Sequence, residues 1–431
     1  MSDFVIKGDI CYCDENKKII TRSSSYVVCK GNKCLGVFEK IPDKYKDYIF
    51  FDYSNKLVIP GLVDLHIHAP QYAFRGIGMD LELIDWLNEV AFKEEGKYSD
   101  LEYAKKAYSI FVNNMKKSST TRACIFATRH RKATMELMKL LEYSGLITYV
   151  GKINMDRNSP EILKEETFEM SAYNTFGWIN SCLRKFKRTK PILTPRFIPS
   201  CSDELLNELR EIQLAYKLPV QSHLSENPGE VDWVKEICPN SQFYGDAYDQ
   251  YCLFGKDNES NKTIKTVMAH CVYSSPEEIQ RLKKNRVFVA HCPSSNTNLS
   301  SGIAPIRKYL DKNIHVGLGS DVGAGHNESM FSVIRDTIQV SKLYWRLMNK
   351  KCSSVSFDEA FYLATLGGGK FFGNVGTFEE GFEFDALVLD DSILEHPQEL
   401  TLHERLERAV YLSLDEKKII AKFVAGREIN I

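Results

Sequence analysis

From about residue 57 to 370 the chain repeats one pattern: a short apolar run, a longer stretch of helical periodicity, then another apolar run. The apolar runs fall at 57–68, 120–127, 147–156, 192–200, 219–226, 263–271, 286–293 and 315–322. Between them, 203–216, 276–285 and 327–347 place apolar residues at helical spacing and polar residues on the opposite face. Eight buried strands alternating with helices predict an α/β protein whose middle is a (β/α)8 TIM-like barrel.

The ends read differently. Residues 1–58 break into short alternating pieces around turns, as at 26–29 and 34–38 on either side of Gly31 and Asn32. After Gly367, Gly368 and Gly369, strand-like runs return at 384–389 and 419–424. The pattern predicts a composite β-sandwich domain from 1–58 and 372–431 beside a catalytic barrel at 59–371. The charged stretch 256–262 reads as a solvated loop.

The candidate chemistry sits where the apolar runs end. His66 and His68 close the first run one residue apart, and on a strand such residues point to the same side. The fifth run ends in His223 and Glu226, the sixth in His270, the eighth in Asp321. In a barrel of this kind, functional groups gather at the C-terminal strand ends. His66, His68, His223 and Asp321 make a zinc-type ligand set, and such a site lowers the pKa of bound water to about 7. Histidine and carboxylate ligands also suit iron(II) or manganese. Glu226, three residues beyond His223, is placed to relay a proton, and His270 either orients the attacking hydroxide or joins the metal's ligands.

Composition narrows the partners. There are 56 basic and 57 acidic residues, a net charge of −1, so no strong field attracts nucleic acid or a membrane surface. No apolar run approaches the ~18 residues of a membrane span. The first residues alternate polar and apolar and lack a signal-peptide core, which points to the cytoplasm. Twelve cysteines without a Cys-x-x-Cys pair read as reduced, mostly buried thiols.

Pro60-Gly61-Leu62-Val63-Asp64-x-His66-x-His68, together with Ser222–Glu226, Met268-Ala269-His270 and Gly317-Leu318-Gly319-Ser320-Asp321, resembles the amidohydrolase superfamily in its mononuclear deaminase branch. The similarity runs on to Glu380-Gly381-x-Glu383-x-Asp385-Ala386. Within that branch, His68-Ala69-Pro70-Gln71-Tyr72-x-Phe74 and Pro195-Arg196-Phe197 resemble the guanine-deaminating family. So do Gly151-Lys152-Ile153-x-Met155-Asp156, Ser222–Asn227 and Ala290-His291-Cys292-Pro293-x-Ser295-Asn296.

The resemblance implies one Zn2+ per chain (Fe2+ being possible), a purine base as substrate, release of xanthine and ammonia in purine metabolism, and a homodimer. The base would meet Gln71, Arg196 and Phe197, with His223, Glu226 and Asp321 at its reacting carbon. Arg196 offers a planar fork of donors to a carbonyl oxygen, and Gln71 can both donate and accept. Phe197 could pack on the ring. Strand neighbours point oppositely, so either Arg196 or Phe197 would then act through its backbone.

Related chemistries are set aside on residues. His326-Asn327-Glu328 matches half of the cysteine-based zinc deaminase signature, but no Pro-Cys-x-x-Cys completes it. Lys152 falls mid-run rather than at a strand end, against a carboxylated lysine bridging two metals. The alternatives are a deaminase or chlorohydrolase for another heterocycle, such as an adenosine-derived nucleoside or a triazine, and a metal-free scaffold. All four expected ligands are present, against the scaffold.

Overall fold

A computed structural model describes residues 3–255, 264–412 and 418–431; the charged stretch 256–262 and the first residue of the sixth apolar run lie outside them. Each of the eight runs contributes parallel strand. The first four strands, Leu62–His68, Thr120–Phe126, Ile147–Gly151 and Thr189–Pro191, form one sheet in chain order. The last four, Val220–Leu224, Thr266–His270, Phe288–His291 and His315–Leu318, form another. Ile153–Asn154 and Thr194–Pro195 add a short parallel pair.

The two sheets meet at both edges. On one side Leu193 bridges Val220, and Gln221 N donates to Leu193 O at 2.9 Å. On the other, Asp321 N donates to His66 O at 2.8 Å and His68 N to Val322 O at 2.9 Å. The expected barrel is therefore drawn as two four-stranded arcs rather than one continuous ladder. Pro191, Pro195 and Pro219 crowd one seam, and proline has no N–H to donate. The run expected at 192–200 is split for the same reason: its pairing strand is Thr189–Pro191, and it ends in the turn Ile198–Ser200.

Helices cover the arcs where periodicity placed them. Asp203–Tyr216, Pro276–Lys284 and Met330–Leu343 realise the three named stretches. Ser202 and Ser275 accept from Leu205 N and Glu278 N, capping the first two. Parallel register sets Leu224 opposite His270 and His291 opposite Leu318, which aligns the strand ends on one rim. No helix among the described residues is long and apolar enough to cross a membrane.

Both chain ends enter a single seven-stranded sheet instead of the expected sandwich. Ile49–Pro60 pairs in parallel with Phe4–Cys13 and antiparallel with Ala386–Leu389, so the C-terminal strands extend the N-terminal sheet. An apolar cluster including Phe4, Phe384 and Phe423 packs against it. Arg122, on the second parallel strand, joins this sheet to the arcs. It donates to both oxygens of Asp385, at 2.7 and 2.9 Å, and to Glu383 at 2.8 Å. Arg122 and Asp385 are buried, and breaking such a pair from one side strands a charge. Arg122→Met should cost about 3–5 kcal/mol, read as a lower urea midpoint, and Arg122→Met/Asp385→Leu should recover part of it. An unchanged midpoint in the single variant would show that the ion pair does not hold the two parts together.

Candidate active site

The rim formed by the strand ends gathers the expected groups in one buried cluster. His66 Nε2 lies 3.1 Å and His68 Nε2 3.4 Å from Asp321 Oδ1, and His68 Nε2 lies 3.2 Å from His223 Nε2. His270 Nε2 sits 3.3 Å from Glu226 Oε2 and 3.8 Å from Asp321 Oδ2. Potential ligand atoms of His66, His68 and Asp321 lie within 4.8 Å of one another, as do those of His66, His223 and His270.

The outer nitrogens show which way these rings face. His223 Nδ1 lies 2.6 Å from Arg196 O and His270 Nδ1 lies 2.8 Å from Asn296 Oδ1, both acceptors. Nδ1 therefore carries the proton on each ring, and each Nε2 presents a lone pair to the centre. His66 Nε2 and His270 Nε2 are buried without a hydrogen-bond partner. Imidazole nitrogens converging beside a carboxylate fit a cation of the zinc type.

The backbone explains the convergence. Asp64 accepts from His66 N at 3.1 Å, from Ser320 N at 3.1 Å and from Ser320 Oγ at 2.6 Å, tying the His-x-His strand to the segment bearing Asp321. Gly319 lies so close to that strand that a Cβ would come within 2.8 Å of His66 Cβ. Asp321 itself adopts φ 48° and His270 φ 72°, turning both side chains out of strand geometry at the rim.

A cavity opens on the cluster. His68, Gln71, Arg196, Phe197, His223, Glu226, His270 and Asp321 all line it, while His66 stands behind them. Arg196 and Phe197 both face the cavity, contrary to the expected opposition of strand neighbours. The strand ends at Pro195, and Phe197 already begins the turn Ile198–Ser200. Leu83, Trp86, Leu87 and Leu299 supply apolar walls.

The model of the amidohydrolase family matches residues 57–429. This chain belongs to the amidohydrolase family. It is 38% identical over 387 residues to the guanine deaminase of Dictyostelium discoideum, covering 88% of this chain and 84% of that one. The crystal structure of guanine deaminase from C. acetobutylicum, with guanine bound in its active site, superposes with a TM-score of 0.95 at 46% identity, covering 99% and 100% of the two chains. Atrazine chlorohydrolase from Arthrobacter aurescens, complexed with zinc, shares the fold at a TM-score of 0.83 and 17% identity, over 99% and 94%.

In this amidohydrolase, burial dominates the electrostatics of the site. Burial and the neighbouring imidazoles push His68 and His223 well below the ordinary histidine range. His270 falls to about 4, also chiefly through burial. Burial works against the Asp321 charge, but the surrounding imidazoles outweigh it and hold the carboxyl well below its ordinary value. Glu226 moves the other way: burial, then Glu230 and Asp321, raise it well above a normal carboxylate. A group so placed can hold a proton at neutral pH.

Other groups carried no assigned role in the sequence reading. Glu230 is buried and lines the cavity beside Glu226; it accepts from Glu226 N at 2.9 Å and from Tyr244 Oη at 2.6 Å, and is raised to about 7 by burial. Its four-residue offset from Glu226 resembles an ordinary helix-start carboxylate. Glu95 lies in the charged run Lys93-Glu94-Glu95, which reads as a solvated face, yet it is 1% exposed. Asp64 offered a signal, being a lone charge inside an apolar run. Lys152 is buried and donates to Glu165 at 2.7 Å, away from the cluster. Glu328 accepts from Tyr72 Oη at 2.6 Å, a structural use of that His-x-Glu.

Proposed function

We propose that this amidohydrolase is a guanine deaminase, hydrolysing guanine to xanthine and ammonia. The observation that carries the reading is the likeness, at 46% identity over 99% of the chain, to a structure with guanine in its active site. The cavity here combines a buried histidine–aspartate cluster with polar groups suited to a purine edge.

The roles follow from placement. His66, His68, His223 and Asp321 would hold one zinc ion per chain, with His270 as a further neighbour. Bound there, zinc supplies hydroxide at neutral pH by lowering the pKa of water to about 7. Glu226 takes up a proton and passes it to the ring nitrogen beside C2, which makes that carbon electrophilic. Asp321 accepts the proton of the adding hydroxyl, and that proton passes to the departing amine, either directly from Asp321 or through the Glu226 carboxylate, which was emptied in the first step. Arg196 donates to the C6 carbonyl oxygen, Gln71 reads the neighbouring edge and Phe197 packs on the ring.

The same reading extends to architecture and setting. The arcs at 59–371 form a (β/α)8 barrel that carries the chemistry, with 1–58 and 372–431 as a composite β domain. A cytoplasmic homodimer acting in purine metabolism is supported by twelve free cysteines, nine of them buried, and by the prevalence of twofold assemblies. The deciding assay measures ammonia release from guanine, adenine, cytosine and S-adenosylhomocysteine. Guanine should be the substrate turned over; an inert guanine beside an active alternative would replace this reading.

A further inference from the structure

Gln71 and Arg196 reach the cavity from different elements, yet both end on one carboxylate. Glu95 Oε1 accepts from Gln71 Nε2 at 2.8 Å and from Arg196 Nη2 at 3.0 Å, while Oε2 accepts from Arg196 Nη1 at 2.5 Å. All three residues are buried. Glu95 does not line the cavity itself; it stands directly behind two residues that do. We propose that Glu95 is a positioning residue that makes the cavity select a neutral purine over an anionic one, by cancelling the charge of Arg196 and locking the Gln71 amide. The inference rests on the guanine reading above.

A guanidinium is always protonated, so an unpaired Arg196 at this depth would draw an anionic heterocycle. Clamped by both oxygens of Glu95, the pair carries no net charge, while the remaining guanidinium N–H groups stay available to a carbonyl. Guanine is neutral. Its product, with a second carbonyl in place of the amine, loses a ring proton more readily. The same clamp that admits the substrate therefore disfavours the ionised product.

The amide is fixed by a second constraint. Gln71 Oε1 accepts from Gly323 N at 3.2 Å while its Nε2 faces the Glu95 carboxylate, which can only accept. Turning the amide would set donor against donor and acceptor against acceptor. Gln71 thus presents its spare donor and acceptor in one order only. Phe92, on the same short helix as Glu95, lies with its ring centre 5.0 Å from the Arg196 guanidinium and holds it from another side.

The test uses the metal-loaded enzyme and Glu95→Gln, which keeps the shape and removes the charge, alongside Glu95→Gln/Arg196→Gln. For Glu95→Gln, KM for guanine should rise about tenfold or more while kcat changes less than about threefold. The inhibition constant for xanthine should fall as the ligand ionises with rising pH, whereas in the unmodified enzyme it should rise. The double variant, neutral again, should return to the unmodified pH trend. A purely structural role would lower stability without inverting that trend. An unchanged KM with an unchanged trend would overturn the proposal.

If Glu95→Gln does not fold, the unmodified enzyme still decides, because tighter binding of ionised xanthine would overturn the proposal. Calorimetric binding of xanthine at neutral and alkaline pH needs no turnover. It therefore separates failure of this inference from failure of the guanine reading, which the absence of guanine turnover would mark.

Discussion

A Glu226→Gln protein should keep its metal and lose turnover, with kcat falling by about 10²–10⁴-fold, the usual contribution of a positioned acid–base group. The substitution keeps size and removes the ability to take a proton. Glu226 is well placed for that task. It lines the cavity, sits 3.3 Å from His270 Nε2, and burial raises its proton affinity. It is not one of the groups whose ligand atoms cluster at the candidate metal centre. Ammonia release and metal content should be measured on the same sample. A variant with normal metal and a kcat within about tenfold of the parent would take Glu226 out of the proton transfer. One that also lost its metal would make it a ligand instead.

Stripping the metal is expected to have an effect of similar size on turnover and a second effect on stability. Chelation should reduce ammonia release to background and lower the melting temperature, with zinc restoring both. At a free metal concentration about a thousandfold above its Kd, the stabilisation lost is about 4 kcal/mol. The physical source is visible in the cluster. His68 and His223 set their Nε2 atoms 3.2 Å apart, and His66 Nε2 and His270 Nε2 are buried without hydrogen-bond partners. Such atoms are costly to bury unless something accepts their lone pairs. His223→Ala should not be rescued by added zinc. Full activity after exhaustive chelation, or an unshifted melting temperature, would refute a resident metal.

The parts of the site that could be read in advance share one property. His66, His68, His223, His270 and Asp321 each interrupt or end an apolar run, so their polarity stands out against strand periodicity. Glu226 follows by its distance from His223. Glu95 could not be found that way. It sits among charged neighbours on a helical stretch, and only tertiary packing turns it inward onto Arg196. The orientation of Phe197 was lost for a local reason: the period of two stops at Pro195, and the turn that follows redirects the chain. The single end sheet was harder still, because its pairings, such as Val58 with Val388, join residues from opposite ends of the sequence. Local alternation marks strands but does not say which edges meet.

Asp64 joins the strand of His66 and His68 to the segment of Asp321, and that link spans almost the whole length of the catalytic region. During synthesis, the two histidines leave the ribosome long before their aspartate partner. The early chain thus offers only a weak, two-toothed grip on any passing ion, and the full claw closes after position 321 has been made. A metal held by both segments would therefore meet its full set of ligands only once they have come together.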